Sequence, residues 1–147
     1  MRTILIEDEH HILRMMERLV QCEPNLKWMG SFHDPLQALE FLADQEVDLV
    51  FLDIEMPQMT GIEFAKRLPA TTQVVFTTAH SKYAVEAFDI QATHYLLKPI
   101  TEQMIHDLIP RVSKRYAETL ATEHHRTCSI QCLDHFSVKT QDGDLVK

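Results

Sequence analysis

The sequence predicts an α/β protein: a doubly wound sheet of five parallel strands with five helices, and a short C-terminal tail. Short, nearly continuous apolar runs alternate along the chain with segments in which apolar residues recur every three or four positions. This alternation of strands and helices favours a parallel sheet that is covered on both faces. Because crossovers between parallel strands are right-handed, an open, doubly wound sheet is the expected topology.

Five strands are expected where apolar and β-branched residues cluster. They cover residues 3–6, 26–31, 47–52, 73–78 and 93–97. The third run contains one acid, Asp48, which we expect at the exposed start of its strand and without a functional role. Asp53 follows the same run directly, so this strand ends on a carboxylate.

Five helices are expected between and after these strands. They cover residues 9–22, a segment from residue 35, residues 61–68, residues 82–91 and a segment from residue 102. Asp34 can cap the second helix, with Pro35 at its first position. Thr101 can cap the fifth, in which Pro110 predicts a kink or an early end. The predicted inward residues are Ile12, Met16, Leu19, Val20, Ala38, Leu39, Leu42, Ile62, Ala65, Leu68, Ala84, Ala87, Phe88, Met104, Ile105, Leu108 and Val112.

The composition is that of an ordinary globular protein of about one domain, with a formal net charge of −8 over 147 residues. This charge argues against binding of nucleic acid through the overall field of this part of the chain. We expect neither a membrane span nor a signal peptide, since no apolar run is long enough. The three cysteines imply no disulfide framework, so a reduced, cytoplasmic protein is expected.

Polar side chains follow the apolar runs at the ends of four predicted strands. They are Glu7, Asp8 and Glu9 after the first, Asp53 after the third, Thr77 and Thr78 in the fourth, and Lys98 after the fifth. Ligands of open parallel sheets bind beyond the carboxyl ends of the strands, so these groups should meet in one pocket. Crowded carboxylates favour a hard divalent cation, and Mg²⁺ suits oxygen ligands.

The same set of residues suits phosphoryl chemistry. A carboxylate beside a bound metal ion can attack a phosphoryl group and form an acyl phosphate. The charge on the transferred group then needs a cation, an ammonium group and hydroxyl donors around it. Asp53 is the candidate nucleophile, and Asp8, Lys98 and Thr78 could supply that environment.

Four stretches, "ILIEDEH", "VFLDIEMPQMTGIEF", "VVFTTAH" and "YLLKPI", occur in this order at these strand ends. With them, residues 1–116 resemble the receiver domain of two-component response regulators. The resemblance implies a flavodoxin-like receiver fold. It also implies that Asp53 is the phosphoacceptor and that Asp8 and Asp53 are Mg²⁺ ligands. Glu7 would be the other acid and reach the metal through water, and the backbone carbonyl of Glu55 would complete the site.

The resemblance implies further roles around the phosphoryl group. Thr78 and Lys98 would bind its oxygens, and Tyr95 would be the rotating switch aromatic. Tyr95 as a plain core residue is the alternative. His80 and Glu55 could flank the pocket and tune attack by water, or lie in a solvated loop. The family usually has a cis peptide bond before the proline that follows Lys98.

Two departures from the family pattern are visible. The acidic pair reads Glu7-Asp8 rather than the commoner Asp-Asp, and Gln91-Ala92 replaces the frequent Gly-Ala before the fifth strand. The stretch "YAVEAFDIQATHYLLKPI" resembles the subgroup of LytTR-type regulators, in which a receiver precedes a β-rich DNA-binding domain.

The C-terminal tail resembles the opening strands of such a LytTR domain. In "HFSVKTQDGDLVK", Phe136 and Val138 alternate with polar residues and Asp142-Gly143 is a hairpin turn signal. We therefore expect a receiver over residues 1–116, a linker over 117–126, and the start of a truncated LytTR-type DNA-binding domain over 127–147.

The expected function is that of a phosphorylation-controlled switch, not an enzyme beyond promoting its own phosphorylation and dephosphorylation. A sensor histidine kinase would be the phosphoryl donor. By resemblance, the face of the fourth helix, fifth strand and fifth helix would form a homodimer. DNA would be bound only by the missing C-terminal domain, and no membrane would be involved.

Two other functions remain open at this point. One is a Mg²⁺-dependent phosphatase of the haloacid dehalogenase type, which also uses an aspartate nucleophile. Such enzymes place the nucleophile on the first strand and have a second Asp two positions later. In this chain, Asp53 follows the third predicted strand and Glu55 stands two positions later. A receiver that acts as an interaction module without phosphate is the third possibility.

Residues 124–135 contain His and Cys residues that could ligate Zn²⁺, or Cys128 and Cys132 could line one side of a strand.

Overall fold

The computed structural model of the chain describes residues 1–80 and 94–138, and the side chains of residues 122–138 lie outside that description. The described residues form a five-stranded parallel sheet in the order β2-β1-β3-β4-β5. The strands are β1 Arg2–Ile6, β2 Lys27–Phe32, β3 Leu49–Asp53, β4 Gln73–Thr78 and β5 His94–Leu97. The predicted parallel sheet is confirmed, and β3 lies at its centre.

Four helices lie in the described residues. They are α1 His10–Cys22, α2 Pro35–Asp44, α3 Gly61–Ala65 and α4 Glu102–Val138. The predicted helix over residues 82–91 falls outside the described residues. None of the helices in the described part of the chain is long and apolar enough to cross a membrane.

The starts of the helices follow from local capping. The side chain of Asp34 accepts a hydrogen bond from the N–H of Leu36 at 2.9 Å, as predicted. Thr60 and Glu63 form a reciprocal capping box at the start of α3. This helix is shorter than the predicted range 61–68, because its last residues close into turns instead of a full helical ladder.

The sheet is covered on both faces, and every residue of β3 and β4 is buried. One core layer includes Ile4 and Ile6 of β1 together with residues of α2 and α3. The opposite layer includes Leu5 of the same strand together with residues of α1 and α4. Alternate residues of one strand therefore enter two cores, which explains why the apolar runs are nearly continuous.

The buried faces of the helices differ from the predicted ones in detail. In α1, Leu13 is buried and Ile12 and Leu19 are only partly buried. In α3, Phe64 is fully buried, although the sequence pattern did not select it. A helix of five residues has too few turns to define a periodic face, so neighbouring loops decide which side chains enter the core.

Helix α4 continues well beyond its predicted end. Pro110 lies inside it, and the helix runs to Val138. The prediction of a strand around Phe136 and Val138 is therefore wrong, and Cys128 and Cys132 lie in a helix rather than on a strand face. Phe136 and Val138 are only two alternating positions, and no glycine or proline interrupts the chain between Pro110 and Gly143. The chain divides into compact units Met1–Tyr116 and Ala117–Lys147.

Asp48 is buried, so the expectation of an exposed position is wrong. Its carboxylate accepts hydrogen bonds from the backbone N–H of Arg2 at 2.7 Å, from the guanidinium of Arg2 at 2.9 and 3.0 Å, and from the hydroxyl of Tyr116 at 2.8 Å. Burial by itself would raise the pKa of Asp48, but the hydrogen bonds from Arg2 and Tyr116 lower it to about 2. Asp48 thus connects β1, β3 and α4.

Gly61 lies directly against the backbone at the end of β3. Its N–H donates to the carbonyl of Ile54 at 2.8 Å. A Cβ atom at Gly61 would collide with the carbonyl oxygen of Asp53 and would lie 2.9 Å from the Cα of Ile54. Since these are backbone atoms, no side-chain rotation relieves the collision, and this close approach requires glycine.

The bonds to Asp48 predict a specific dependence of stability on pH. The pKa of Asp48 is about 2 in the folded chain and about 3.9 when unfolded. The stabilisation is therefore complete above the unfolded value and is lost as the pH falls towards the folded value. We expect Asp48→Asn to be less stable than the native sequence at neutral pH, by up to about 2 kcal/mol, with the gap closing in acid.

Urea unfolding between neutral and acidic pH measures this gap. Asp44→Asn is the control, because Asp44 is exposed. A gap between Asp48→Asn and the native sequence that stays constant down to acidic pH would contradict the role of the ionised carboxylate.

Gly61→Ala is expected to lower the free energy of unfolding by about 1–3 kcal/mol, because the backbone must shift to accept the methyl group. Chemical denaturation measures the change. Gly30→Ala is the matched control, since its Cβ would meet only the movable ring of Phe32, at 3.3 Å. If the two variants lost equal stability, the close approach at Gly61 would not be the cause.

Candidate functional site

The carboxyl ends of four strands bring the predicted polar residues to one edge of the sheet. Glu7 and Asp8 follow β1, Asp53 is the last residue of β3, Thr78 is the last residue of β4, and Lys98 follows β5. The structure therefore places these side chains together, as expected for groups at the ends of neighbouring parallel strands.

Three carboxylates form the centre of the site. Glu7, Asp8 and Asp53 offer oxygen atoms that all lie within 4.8 Å of one another. Glu7 and Asp53 are buried, whereas Asp8 is partly exposed. In residues 1–80 and 94–121, whose side chains are described, this is the one group of three or more such residues arranged closely enough to hold a metal ion.

Lys98 supplies a positive charge between two of these carboxylates. Its Nζ lies 2.6 Å from Oε1 of Glu7 and 3.3 Å from Oδ1 of Asp53. Burial alone would lower the pKa of Lys98, but the hydrogen bond to Glu7 and the charge of Asp53 outweigh burial and raise it. Lys98 therefore stays an ammonium ion at neutral pH.

The pKa values of Glu7 and Asp53 are raised above their usual values. Burial, together with the charge of Glu7, raises the pKa of Asp53 to about 8, and the charge of Lys98 offsets only part of this rise. Burial also raises the pKa of Glu7, against the hydrogen bond from Lys98. The single positive charge of Lys98 thus does not balance the negative charges of the crowded carboxylates. Their oxygen atoms therefore favour binding of an additional cation.

The hydrogen bonds of β4 and β5 position Thr78 and Lys98 relative to each other. Thr78 is completely buried, and its carbonyl accepts a hydrogen bond from the backbone N–H of Lys98 at 2.8 Å. The hydroxyl oxygen of Thr78 accepts a hydrogen bond from the N–H of His80 at 3.1 Å. Thr77 stands opposite Asp53 in the β3–β4 register. The peptide bond between Lys98 and Pro99 is cis, as the resemblance implied.

His80 and Glu55 meet at the rim of the site. Nε2 of His80 lies 3.2 Å from Oε1 of Glu55, and both side chains are about half exposed. The sequence left open whether these two residues flank the pocket or lie in a solvated loop, and it did not predict that they contact each other. They belong to different loops, so no local sequence signal connects them.

Tyr95 lies on β5 and is partly buried against the core layer that includes Ile4 and Phe76. Its hydroxyl donates a hydrogen bond to the carbonyl of His80. The loop after β4 thus contacts both Thr78, through the N–H of His80, and Tyr95, through the carbonyl of His80. This pair of contacts had no signal in the sequence.

Two open cavities adjoin the carboxylates. One, of about 420 Å³, is lined by Asp8, Asp53, Glu55 and Lys98, with Ile12 and Met15 among its apolar residues. The other, of about 430 Å³, is lined by Asp8, Glu55 and residues of the loop before α3. Carboxylate oxygens at the edge of an open cavity suit Mg²⁺, which prefers oxygen ligands and retains several waters. The side chains of residues 124–135, proposed as possible Zn²⁺ ligands, lie outside the described part.

Comparison with known proteins agrees with this geometry. The profile of the family described as "Response regulator receiver domain" matches residues 3–110. Protein MrkE of Klebsiella pneumoniae is 32% identical over 121 residues, which are 80% of this chain and 45% of MrkE. Transcriptional regulatory protein YpdB of Escherichia coli strain K12 is 31% identical over 121 residues, which are 80% of this chain and 50% of YpdB.

Solved structures show the same fold. The crystal structure of the response regulatory domain of MrkE has a TM-score of 0.73 and 32% identity, and the match covers 80% of this chain and 99% of that domain. The response regulator TrrA of Thermotoga maritima, solved in complex with Mg(2+)-BeF, has a TM-score of 0.67 and 23% identity, with 76% and 97% covered.

The chain spans about half the length of the curated relatives MrkE and YpdB. The parallel-sheet fold agrees with that of the solved response regulatory domain of MrkE, and nothing in these matches supports a haloacid dehalogenase-type phosphatase. With its family profile over residues 3–110 and its polar groups at the carboxyl edge of the sheet, the chain belongs to the receiver domain family of two-component response regulators.

Proposed function

We propose that Asp53 is the phosphoacceptor of this receiver and that a sensor histidine kinase is the phosphoryl donor. The observation that carries this proposal is the position of Asp53. It ends the central strand, lines an open cavity, and lies close to the ammonium of Lys98 and to two further carboxylates. A nucleophile, an ammonium group and a hydroxyl at one edge of the sheet form the set that phosphoryl transfer needs.

The proposed transfer is a displacement at phosphorus. An oxygen of Asp53 forms a bond to the phosphorus of a phosphohistidine while the phosphorus–nitrogen bond breaks. The histidine of the kinase leaves with the electron pair of that bond, and Asp53 becomes an acyl phosphate. Lys98 lies 3.3 Å from Asp53 and can contact an oxygen of the transferred group.

We propose Mg²⁺ as the cofactor. Asp8, Asp53 and the backbone carbonyl of Glu55 would hold the ion, and the charges and open cavities described above suit it. Bound there, Mg²⁺ would neutralise negative charge on the phosphoryl oxygens. The complex of the structural neighbour TrrA with Mg(2+)-BeF supports this assignment by analogy.

Thr78 is the proposed phosphoryl-binding hydroxyl, and Tyr95 is the proposed switch residue. A phosphoryl group on Asp53 offers acceptors for the hydroxyl hydrogen of Thr78, whose oxygen now accepts from the N–H of His80. Since the carbonyl of the same His80 accepts from Tyr95, a shift of this loop would reach Tyr95 directly. A local change of charge would thereby act on a distant surface.

We propose that the output is dimerisation and, through it, regulation of transcription. The proposed dimer face combines the helix that the sequence predicts over residues 82–91, which lie outside the described residues, with β5 and the start of α4. Leu97 of β5 is 45% exposed, which supports a contact on this edge of the sheet. The name of YpdB, a transcriptional regulatory protein, supports DNA as the target.

The identity of residues 117–147 remains a prediction. We propose residues 117–126 as a linker and 127–147 as the start of a LytTR-type DNA-binding domain. A cytoplasmic location is proposed with the same function, since the few cysteines imply no disulfide framework.

Replacement of Asp53 tests the phosphoacceptor. Incubation with acetyl phosphate and Mg²⁺ should add one phosphoryl group to the native sequence, measured by intact mass, and none to Asp53→Asn, whose amide is a poor nucleophile. Asp44→Asn, at an exposed position away from the site, is the control and should be labelled normally. Equal labelling of Asp53→Asn would sink the assignment.

A phosphoryl mimic tests the output. Beryllofluoride with Mg²⁺ should shift the chain from monomer to dimer, measured by light scattering after size exclusion. Leu97→Gln should weaken this shift, whereas Leu36→Gln, a change of an equally exposed leucine on α2, should not. An unchanged mass with beryllofluoride would favour a receiver that interacts without phosphate.

A further inference from the structure

Two histidine rings meet at the carboxyl edge of the sheet, apart from the three carboxylates. His10 is the first residue of α1, and His33 directly follows β2. The centroids of their rings lie 4.7 Å apart, and the ring planes are inclined to each other at 40°. The proposed phosphoryl transfer uses neither ring.

The backbone holds these two rings near each other. Strands β1 and β2 pair in parallel with Ile6 opposite Phe32, so both strands end at the same level of the sheet. The carbonyl of Phe32 accepts a hydrogen bond from the N–H of Glu7 at 3.0 Å, which ties the two following loops together. Because His33 is the next residue and His10 begins a helix, regular structure on both sides fixes where the two side chains start.

Other histidines of the described chain pair with charged side chains. His80 lies 3.2 Å from Glu55, and His106 lies 3.2 Å from Glu23. The two rings at the end of β1 and β2 contact each other instead, and both residues are exposed. An ion from the solvent can therefore reach their ring nitrogens.

The spacing of the two rings suits a shared metal ion. With a zinc–nitrogen distance of about 2.1 Å, two imidazoles at adjacent positions of one ion have ring centroids roughly 4.5–5.2 Å apart, depending on the angle at the metal. The observed centroid distance of 4.7 Å lies within this range. Binding would thus require rotation of exposed side chains rather than a large movement of the backbone.

The type of donor separates this histidine pair from the carboxylate site. Imidazole nitrogen suits ions such as Zn²⁺, Ni²⁺ and Cu²⁺, whereas carboxylate oxygen suits Mg²⁺. The neighbouring sequence is acidic, since Glu9 precedes His10 and Asp34 follows His33, and the chain has a formal net charge of −8. This charge favours a cation at the two rings.

We propose that His10 and His33 form a second cation site, which binds a divalent transition metal ion through one nitrogen of each ring, with water as the remaining ligands. The ion would join the loop after β1 to the loop after β2. Since the proposed phosphoryl transfer does not use these two side chains, the inference stands or falls independently of the proposed function.

Titration of the full chain with Zn²⁺ tests this site. Saturating Mg²⁺ is present throughout to occupy the carboxylates, and NMR spectra that correlate ring protons with ring nitrogens follow each histidine separately. This resolution by residue is needed because the chain has nine histidines. The ring nitrogens of His10 and His33 should shift with one shared midpoint, at a lower Zn²⁺ concentration than those of the neighbouring exposed residue His11.

Removal of either ring should weaken the response of the other. In His33→Gln, the Zn²⁺ concentration that shifts the signals of His10 should rise at least about tenfold, because a second ligand on the same chain acts at a high effective concentration. His10→Gln should have the same effect on His33. His11→Gln is the matched control and should leave both responses unchanged.

Two results would overturn the inference. If His10 kept its native midpoint in His33→Gln, the two rings would not share an ion. If His10 and His33 shifted only at the Zn²⁺ concentration that shifts His11, they would bind no more tightly than an isolated surface histidine, and the pair would be a simple ring contact.

Discussion

The site depends on the ammonium of Lys98 held between two buried carboxylates, those of Glu7 and Asp53. Buried acids so close together repel each other, and the charge of Lys98 offsets only part of the resulting rise in the pKa of Asp53. The backbone N–H of Lys98 bonds to the end of β4, which places Lys98 at the same sheet edge as these acids. The residues of the site therefore come together only when the strands pair in the sheet.

Asp48, which directly precedes β3, and Asp53, which ends it, show how surroundings decide the role of a residue type. Asp48 receives hydrogen bonds from Arg2 and Tyr116, its pKa falls to about 2, and it holds three elements together. Asp53 is buried beside Glu7, its pKa rises to about 8, and it faces an open cavity. A paired buried charge stabilises the fold, whereas an undercompensated one is available for chemistry.

His80, just after β4, contacts three residues of the site region. The N–H of His80 donates to Thr78, its carbonyl accepts from Tyr95, and its ring contacts Glu55 at the rim. One residue thus touches the proposed phosphoryl-binding hydroxyl and the proposed switch aromatic. Under the proposed function, phosphorylation would act by rearranging these hydrogen bonds.

The sequence by itself determined the parallel sheet, the strand ends and the set of polar residues at one edge, because hydrophobic periodicity and strand-end position are local signals. Only the tertiary structure decided how those residues pair. That Glu7 bonds to Lys98, that Asp48 is buried with Arg2 and Tyr116, and that Gly61 touches the backbone of Asp53 all involve residues that are neighbours only in the fold. The length of α4 also differs from the prediction. The alternation of Phe136 and Val138 suggested a strand, but the long stretch without glycine or proline forms a helix.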